Sequence, residues 1–112
     1  MVMSKKEQKR VVPCGASNYN EKYYLNPDFL KLPKEIQDEL KVMCVLFVSE
    51  VGGILTLEYE ADGTLCFRVA ADEEDILFDE IGAGLKIKEY QQTKQELLKG
   101  LELYYRAAVL RE

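Results

Sequence analysis

The sequence predicts an α+β domain, and three observations carry that reading. Residues 52–70 hold two alternating apolar/polar runs, ILTLEYE and TLCFRVA, on either side of Ala61, Asp62 and Gly63. Before them, residues 34–51 repeat apolar positions at the 3-4 spacing of a helix; after them, residues 72–109 do so again. The expected order is an irregular N-segment, a helix, a β-hairpin, a short helix and a long C-terminal helix. The small antiparallel sheet is open to extension by N-terminal strands.

In the N-segment, Val11-Val12 and Tyr23-Tyr24-Leu25 are candidate strands, separated by a turn-rich Gly15-Ala16-Ser17-Asn18-Tyr19-Asn20. Pro33 suits a helix start, where its missing N–H costs nothing. From Lys34, the residues Ile36, Leu40, Met43, Cys44, Phe47, Val48 and Val51 fall on one face. Val42, Val45 and Leu46 lie opposite, so the later turns read as apolar nearly all round and are expected inside the core. Gly52 and Gly53 end the helix.

The hairpin can be put in register. A two-residue loop would set Tyr59 opposite Cys66 and mix the two faces. A three-residue loop at Ala61, Asp62 and Gly63 sets Tyr59, Leu57 and Leu55 opposite Leu65, Phe67 and Val69, and leaves Arg68 diagonal to Glu58. Beyond it, Asp72 reads as an N-cap with Glu73, Glu74 and Asp75 in the first turn. That helix is expected to bury Leu77, Ile81 and Leu85. A second stripe, Ile87, Tyr90, Lys94, Leu97, Leu101, Tyr104 and Ala108, is roughly 150° out of phase with the first at ~100° per residue. A break at Gly82, Ala83 and Gly84 is therefore expected.

Length and composition bound the function. A chain of 112 residues with 47% hydrophobic residues can form one domain with a real core. The expected division is a basic flexible tip over residues 1–10 and one α+β domain over 11–112. The most apolar run, residues 42–48, is far shorter than the ~20 residues of a membrane span, and no signal-peptide pattern follows the basic tip; a cytoplasmic location is expected. The net charge is −5, but the tip carries four basic and one acidic side chain, which leaves residues 11–112 at −8. Such a surface repels phosphate backbones, so nucleic acid is not the expected partner.

The chain has no histidine. That removes the usual general base, the commonest metal ligand and every Ser-His or Cys-His pair. Cys14, Cys44 and Cys66 show no zinc-ligand spacing, and neither glycine pair matches a phosphate loop. The acids at 72–75, 79 and 80 lack the pattern of an EF-hand and read as a solvated helix start. No metal or cofactor is called for. Cys14, in a small-residue setting that reads as a loop, is the candidate reactive thiol, with Lys22 or Arg10 as the cation to activate it. The seven tyrosines suit interface positions, apolar at one end and wet at the other. The C-terminal stripe has the spacing of a coiled-coil seam; Ile87, Tyr90, Leu97, Leu101, Tyr104 and Tyr105 are the candidate interface, unless that face simply covers the hairpin.

The runs Tyr23-Tyr24-Leu25-Asn26, Met43-Cys44-Val45-Leu46-Phe47, Val51-Gly52-Gly53-Ile54-Leu55-Thr56-Leu57 and Leu77-Phe78-Asp79-Glu80-Ile81-Gly82 together resemble a family of short uncharacterised proteins of clostridial-type Gram-positive bacteria. The resemblance implies a bacterial cytosolic protein and carries no activity or site residues. The function expected is that of a non-enzymatic interaction module, homodimeric through its C-terminal helix or bound to a protein partner. The alternatives are a thiol enzyme or redox protein using Cys14, and a small-molecule sensor with a tyrosine-lined pocket between the N-segment and the long helix.

Overall fold

The computed structural model describes residues 11–109; the basic tip over residues 1–10 lies outside them. Four strands, β1 (Cys14–Ser17), β2 (Lys22–Leu25), β3 (Ile54–Tyr59) and β4 (Leu65–Ala70), form one sheet in the order β2-β1-β3-β4, with every neighbouring pair antiparallel. Three helices follow the chain as α1 (Lys34–Val51), α2 (Glu80–Thr93) and α3 (Gln95–Tyr104), and α3 runs into a π-helical turn, Tyr105–Val109. The chain is an α+β domain, as the patterning predicts.

The hairpin has the three-residue loop. Tyr59 pairs with Leu65, Leu57 with Phe67 and Leu55 with Val69. Gly63 takes the left-handed conformation (φ 90°) that this loop requires, and its N–H donates to the Glu60 carbonyl at 2.9 Å. Arg68 reaches Glu58 at 3.6 Å and Glu60 at 3.2 Å across the polar face. Segregation of apolar from polar side chains decides the register, because a one-residue slip would turn every core residue to solvent.

The N-segment strands do join the sheet, but the first is shifted. The strand covers Cys14–Ser17 rather than Val11-Val12, and Gly15 is its second residue. β1 is a central strand, with β2 on one side and β3 on the other. A Cβ at Gly15 would lie 2.8 Å from the Leu55 carbonyl oxygen, so the close approach of β3 demands glycine where composition alone suggests a turn.

One face of the sheet, carrying Cys14, Ala16, Leu55, Leu57 and Tyr59, is buried. α1 covers it with Leu40, Met43, Cys44, Phe47, Val48 and Val51. α2 lies beside α1: the Tyr90 hydroxyl donates to the Met43 carbonyl at 3.2 Å, Lys86 pairs with Glu50 at 2.8 Å and Lys94 with Glu39 at 3.2 Å. These three contacts run in opposite senses along the two helices, so α1 and α2 are antiparallel. Val42 and Leu46, expected in the core, are instead about half exposed on the outer face of α1, because α2 covers only one flank of it.

The segment after the hairpin departs most from expectation. Residues 72–79 form turns rather than a first helical turn, and the N-cap is Asp79, whose Oδ1 accepts the Gly82 N–H at 2.9 Å. Helix α2 passes unbroken through Gly82, Ala83 and Gly84. The break falls at Lys94 (φ −113°, ψ 27°), next to Thr93, whose hydroxyl donates to the Glu89 carbonyl at 2.9 Å and competes with the backbone ladder. The two out-of-phase stripes are thus not reconciled by bending the helix. The first, with Leu77, Ile81 and Leu85, stays in solvent.

Tyr59 anchors the C-terminal helix to the sheet. It is 1% exposed, its ring stacks on Tyr105 with centroids 3.9 Å apart, and its hydroxyl donates to the Leu101 carbonyl at 2.8 Å. Replacing Tyr59 with Phe keeps the stack and removes the hydrogen bond, so it should cost about 1 kcal/mol, read as a lower urea midpoint with an unchanged slope. A second test concerns pH. Asp62 accepts the Thr64 N–H at 3.0 Å, and that bond, with others in the turn, holds its carboxyl below the ordinary value of 3.8. A lowered native value means stability that is complete above the unfolded value and lost as pH falls through the native one. The gap in urea midpoint between the native protein and Asp62→Ala should therefore be constant from pH 7 to 5 and close below pH 4.

Candidate functional site

The candidate interface residues are drawn into the protein's own core. Tyr90, Leu97 and Tyr105 are each 7% exposed and Leu101 1%, while Ile87 and Tyr104 are partly buried against them. Tyr104 lies over Phe29 with centroids 5.3 Å apart and donates to the Asp28 carbonyl at 2.9 Å. Tyr90 packs against both Phe47 and Phe67. The seam-like stripe therefore covers the hairpin and α1. Three heptads with Lys94 at one seam position are as compatible with packing on a sheet as with a coiled coil, and the hydrophobic face of the sheet takes precedence.

Cys14 does not lie in a loop. It is in the central strand, 0% exposed, with its Sγ 3.9 Å from that of Cys44 on α1. The Tyr23 hydroxyl is buried in the same region with no hydrogen-bond partner. The contact with Cys14, together with burial, pushes the Cys44 thiol well above its ordinary range, and burial does the same to Tyr23. Of the two cations named for the activation of Cys14, Arg10 lies outside the described residues, and Lys22 is an exposed residue at the far end of β2, in register with Ser17 rather than Cys14. Cys66 differs: it sits partly exposed on the polar sheet face and donates its S–H to the Glu60 carboxylate at 2.9 Å. Among the described residues, no group of three His, Cys, Asp or Glu side chains is placed to hold a metal ion.

Two surface features remain. A cleft of about 610 Å³ opens between the β1–β2 hairpin and α1, lined by Ala16, Ser17, Lys22, Tyr23, Lys41 and Val45. It lies beside α1, not the C-terminal helix, and Tyr23 is the one tyrosine in it. The other feature is apolar. Ile76 is 92% exposed, Leu77 87%, Ile81 79% and Leu85 63%. The last two are one turn apart on α2; Val42 and Leu46, exposed on α1, lie further along the helix pair, level with Tyr90 rather than with Ile81.

The segment that carries Ile76 and Leu77 is held at both ends. The Tyr19 hydroxyl accepts the Asp72 N–H at 3.0 Å and donates to Asp75 Oδ2 at 2.5 Å, a bond that raises the tyrosine's own pKa. The Asp75 Oδ1 accepts the Leu77 N–H at 3.0 Å. At the other end, the Asp79 N–H donates to the Val51 carbonyl at 2.9 Å, which fixes the start of α2 against the end of α1. The sequence pattern places Leu77, Ile81 and Leu85 in the core, and the structure exposes all three. The signal that marks them as surface is the phase mismatch itself, since two stripes about 150° apart cannot both face one sheet.

The fold and its surface define a two-layer α+β domain, a sheet covered on one face by helices whose outer side bears an uncovered apolar strip. The chain belongs to a family of unknown function, DUF6145, whose model matches residues 10–112. No curated protein matches the chain, and no solved structure does. No helix among the described residues is long and apolar enough to cross a membrane.

The burial of two of the three thiols sets a direct check. In the native protein at neutral pH, a disulfide reagent should modify Cys66 alone, and all three thiols only in denaturant. Modification of Cys14 at the rate of Cys66 would show that the β1–α1 seam opens readily.

Proposed function

We propose that this protein is a non-enzymatic interaction module of the bacterial cytosol, and that it binds protein through the outer face of its helical layer. The observation that carries the reading is the exposure of four large aliphatic residues, Ile76, Leu77, Ile81 and Leu85, within ten positions of the sequence. Single exposed aliphatic residues are ordinary, but a run of large ones on a small domain marks a contact surface. The compartment is supported by the family resemblance and by the lack of zinc or disulfide spacing among the cysteines. The reading differs from the seam expected over residues 87–105 in where the contact lies. The residues of that seam hold the monomer together.

A thiol enzyme draws no support from the place of Cys14, a closed strand position beside a protonated partner. A small-molecule sensor is favoured by one observation, the cleft beside Tyr23 with Lys22 and Lys41 at its rim. A thermal-shift screen against small organic anions would reveal it as a rise in melting temperature that Lys41→Glu removes.

The interaction reading is tested by crosslinking the tagged chain in host-cell extract beside an Ile81→Lys, Leu85→Lys variant. Both residues point to solvent, so the variant should keep the native circular dichroism spectrum. The native chain should migrate in complexes, whether with itself or with another protein, and the variant should not. A native chain that crosslinks to nothing, or complexes that the variant retains, would end the reading.

A further inference from the structure

We infer that Cys14 and Cys44 form an oxidisable dithiol, which a peroxide closes to a disulfide joining β1 to α1 inside the folded chain. Neither residue takes part in the contact proposed above.

The geometry comes first. Both cysteines are 0% exposed, and their sulfurs lie 3.9 Å apart. A disulfide is about 2.05 Å long, so the sulfurs need to close by about 2 Å, within reach of modest rotations of two side chains. A single buried cysteine packs as a small hydrophobe. Two whose sulfurs touch across separate elements, 30 positions apart, can also share a bond. Cys66 cannot replace either of them. Cys14 is paired with Leu57 and Cys66 with Glu58, successive residues of β3, so the two thiols face opposite sides of the sheet.

The surroundings supply an approach. The cleft of about 610 Å³ ends one step from the pair on each element. On β1 its wall is Ala16, the next residue on the face that carries Cys14; on α1 it is Val48, one turn after Cys44. Tyr23, paired with Ala16, also lines the cleft, yet its hydroxyl is buried with no hydrogen-bond partner. Burial and then the two thiols raise the pKa of that hydroxyl, which sets it beside the sulfurs. Hydrogen peroxide is little larger than water and can enter where a bulky disulfide reagent is stopped. The unused Tyr23 O–H is a donor for it at the end of the cleft.

The chemistry then needs only the two thiols and the peroxide. One thiol is oxidised to a sulfenic acid as the O–O bond breaks and water leaves. The second sulfur displaces the sulfenic hydroxyl, which departs with that thiol's proton as a second water, and the S–S bond forms. In all, two thiol hydrogens and two electrons pass to the peroxide. Its contact with Cys14, and burial, keep the Cys44 thiol protonated, so the pair answers sustained oxidant rather than a brief pulse. The bond closes the chain over residues 14–44, which ties together the two walls of the cleft and restricts the unfolded chain.

The test treats the full-length chain carrying Cys66→Ser with hydrogen peroxide at neutral pH, without denaturant. The expected product is a monomer lighter by two hydrogens in its intact mass, with Cys14 and Cys44 in one crosslinked peptide after digestion and the native circular dichroism spectrum. Its melting temperature should rise by roughly 10 °C and return on reduction with dithiothreitol. The same treatment of Cys44→Ala in that background should remove no hydrogens. A disulfide that forms only in urea, oxygen added to either sulfur in its place, thiols still titratable after overnight treatment, or a lowered melting temperature would each overturn the inference.

Discussion

The position of Tyr59 is the constraint on which the rest of the structure depends. It sits at the end of β3, where the sheet would otherwise present an apolar edge to water. Its ring takes the stack with Tyr105, and its hydroxyl takes the Leu101 carbonyl just before the chain passes into the π-helical turn. Phe29 closes the other side at 6.0 Å. A buried phenol needs a partner for its O–H, and the last helix supplies it through the Leu101 carbonyl. That helix must then lie along the sheet, which turns Leu97 and Leu101 inward. The Glu102 carboxylate, on the same helix, accepts the Leu65 N–H at 2.8 Å and so covers a donor on the edge strand β4.

From this follows the division of labour between the two apolar stripes of the C-terminal half. The sheet has one buried face, and α1 already covers most of it. What is left accommodates the stripe of Tyr90, Leu97, Leu101 and Tyr105. The stripe of Ile81 and Leu85 belongs to the same continuous helix as Tyr90, so its direction is set once Tyr90 is seated between Phe47 and Phe67. The exposure of these residues is a geometric consequence of packing elsewhere.

The fold was legible where a single periodicity had a single interpretation. The hairpin was readable to the pairing of Tyr59 with Leu65, because only one loop length keeps its faces apart. Helix α1 was readable to its ends, because Pro33 and Gly52 punctuate it. Legibility failed where composition pointed the wrong way. Gly15, Ala16 and Ser17 look like a turn, yet small residues are what a central strand needs when β3 approaches within 2.8 Å of a Cβ position. Asp72, Glu73, Glu74 and Asp75 look like the start of a helix, but the Tyr19 hydroxyl captures the Asp72 N–H and the Asp75 carboxylate, a long-range bond that local pattern does not show. The candidate site suffered from the same blindness. Seam and core share one spacing, and only the position of the sheet tells them apart.

The Tyr19 clamp has a thermodynamic consequence of its own. A loop that must find its shape on meeting a partner loses conformational entropy at that moment, about 1–2 kcal/mol for each backbone residue ordered. Here that loss is met during folding. Tyr19 secures one end of residues 72–79 and the Val51 carbonyl the other, so Ile76 and Leu77 are shown to solvent in a shape that already exists. The cost of ordering these two exposed aliphatic residues is thus borne by folding and not left to any binding step.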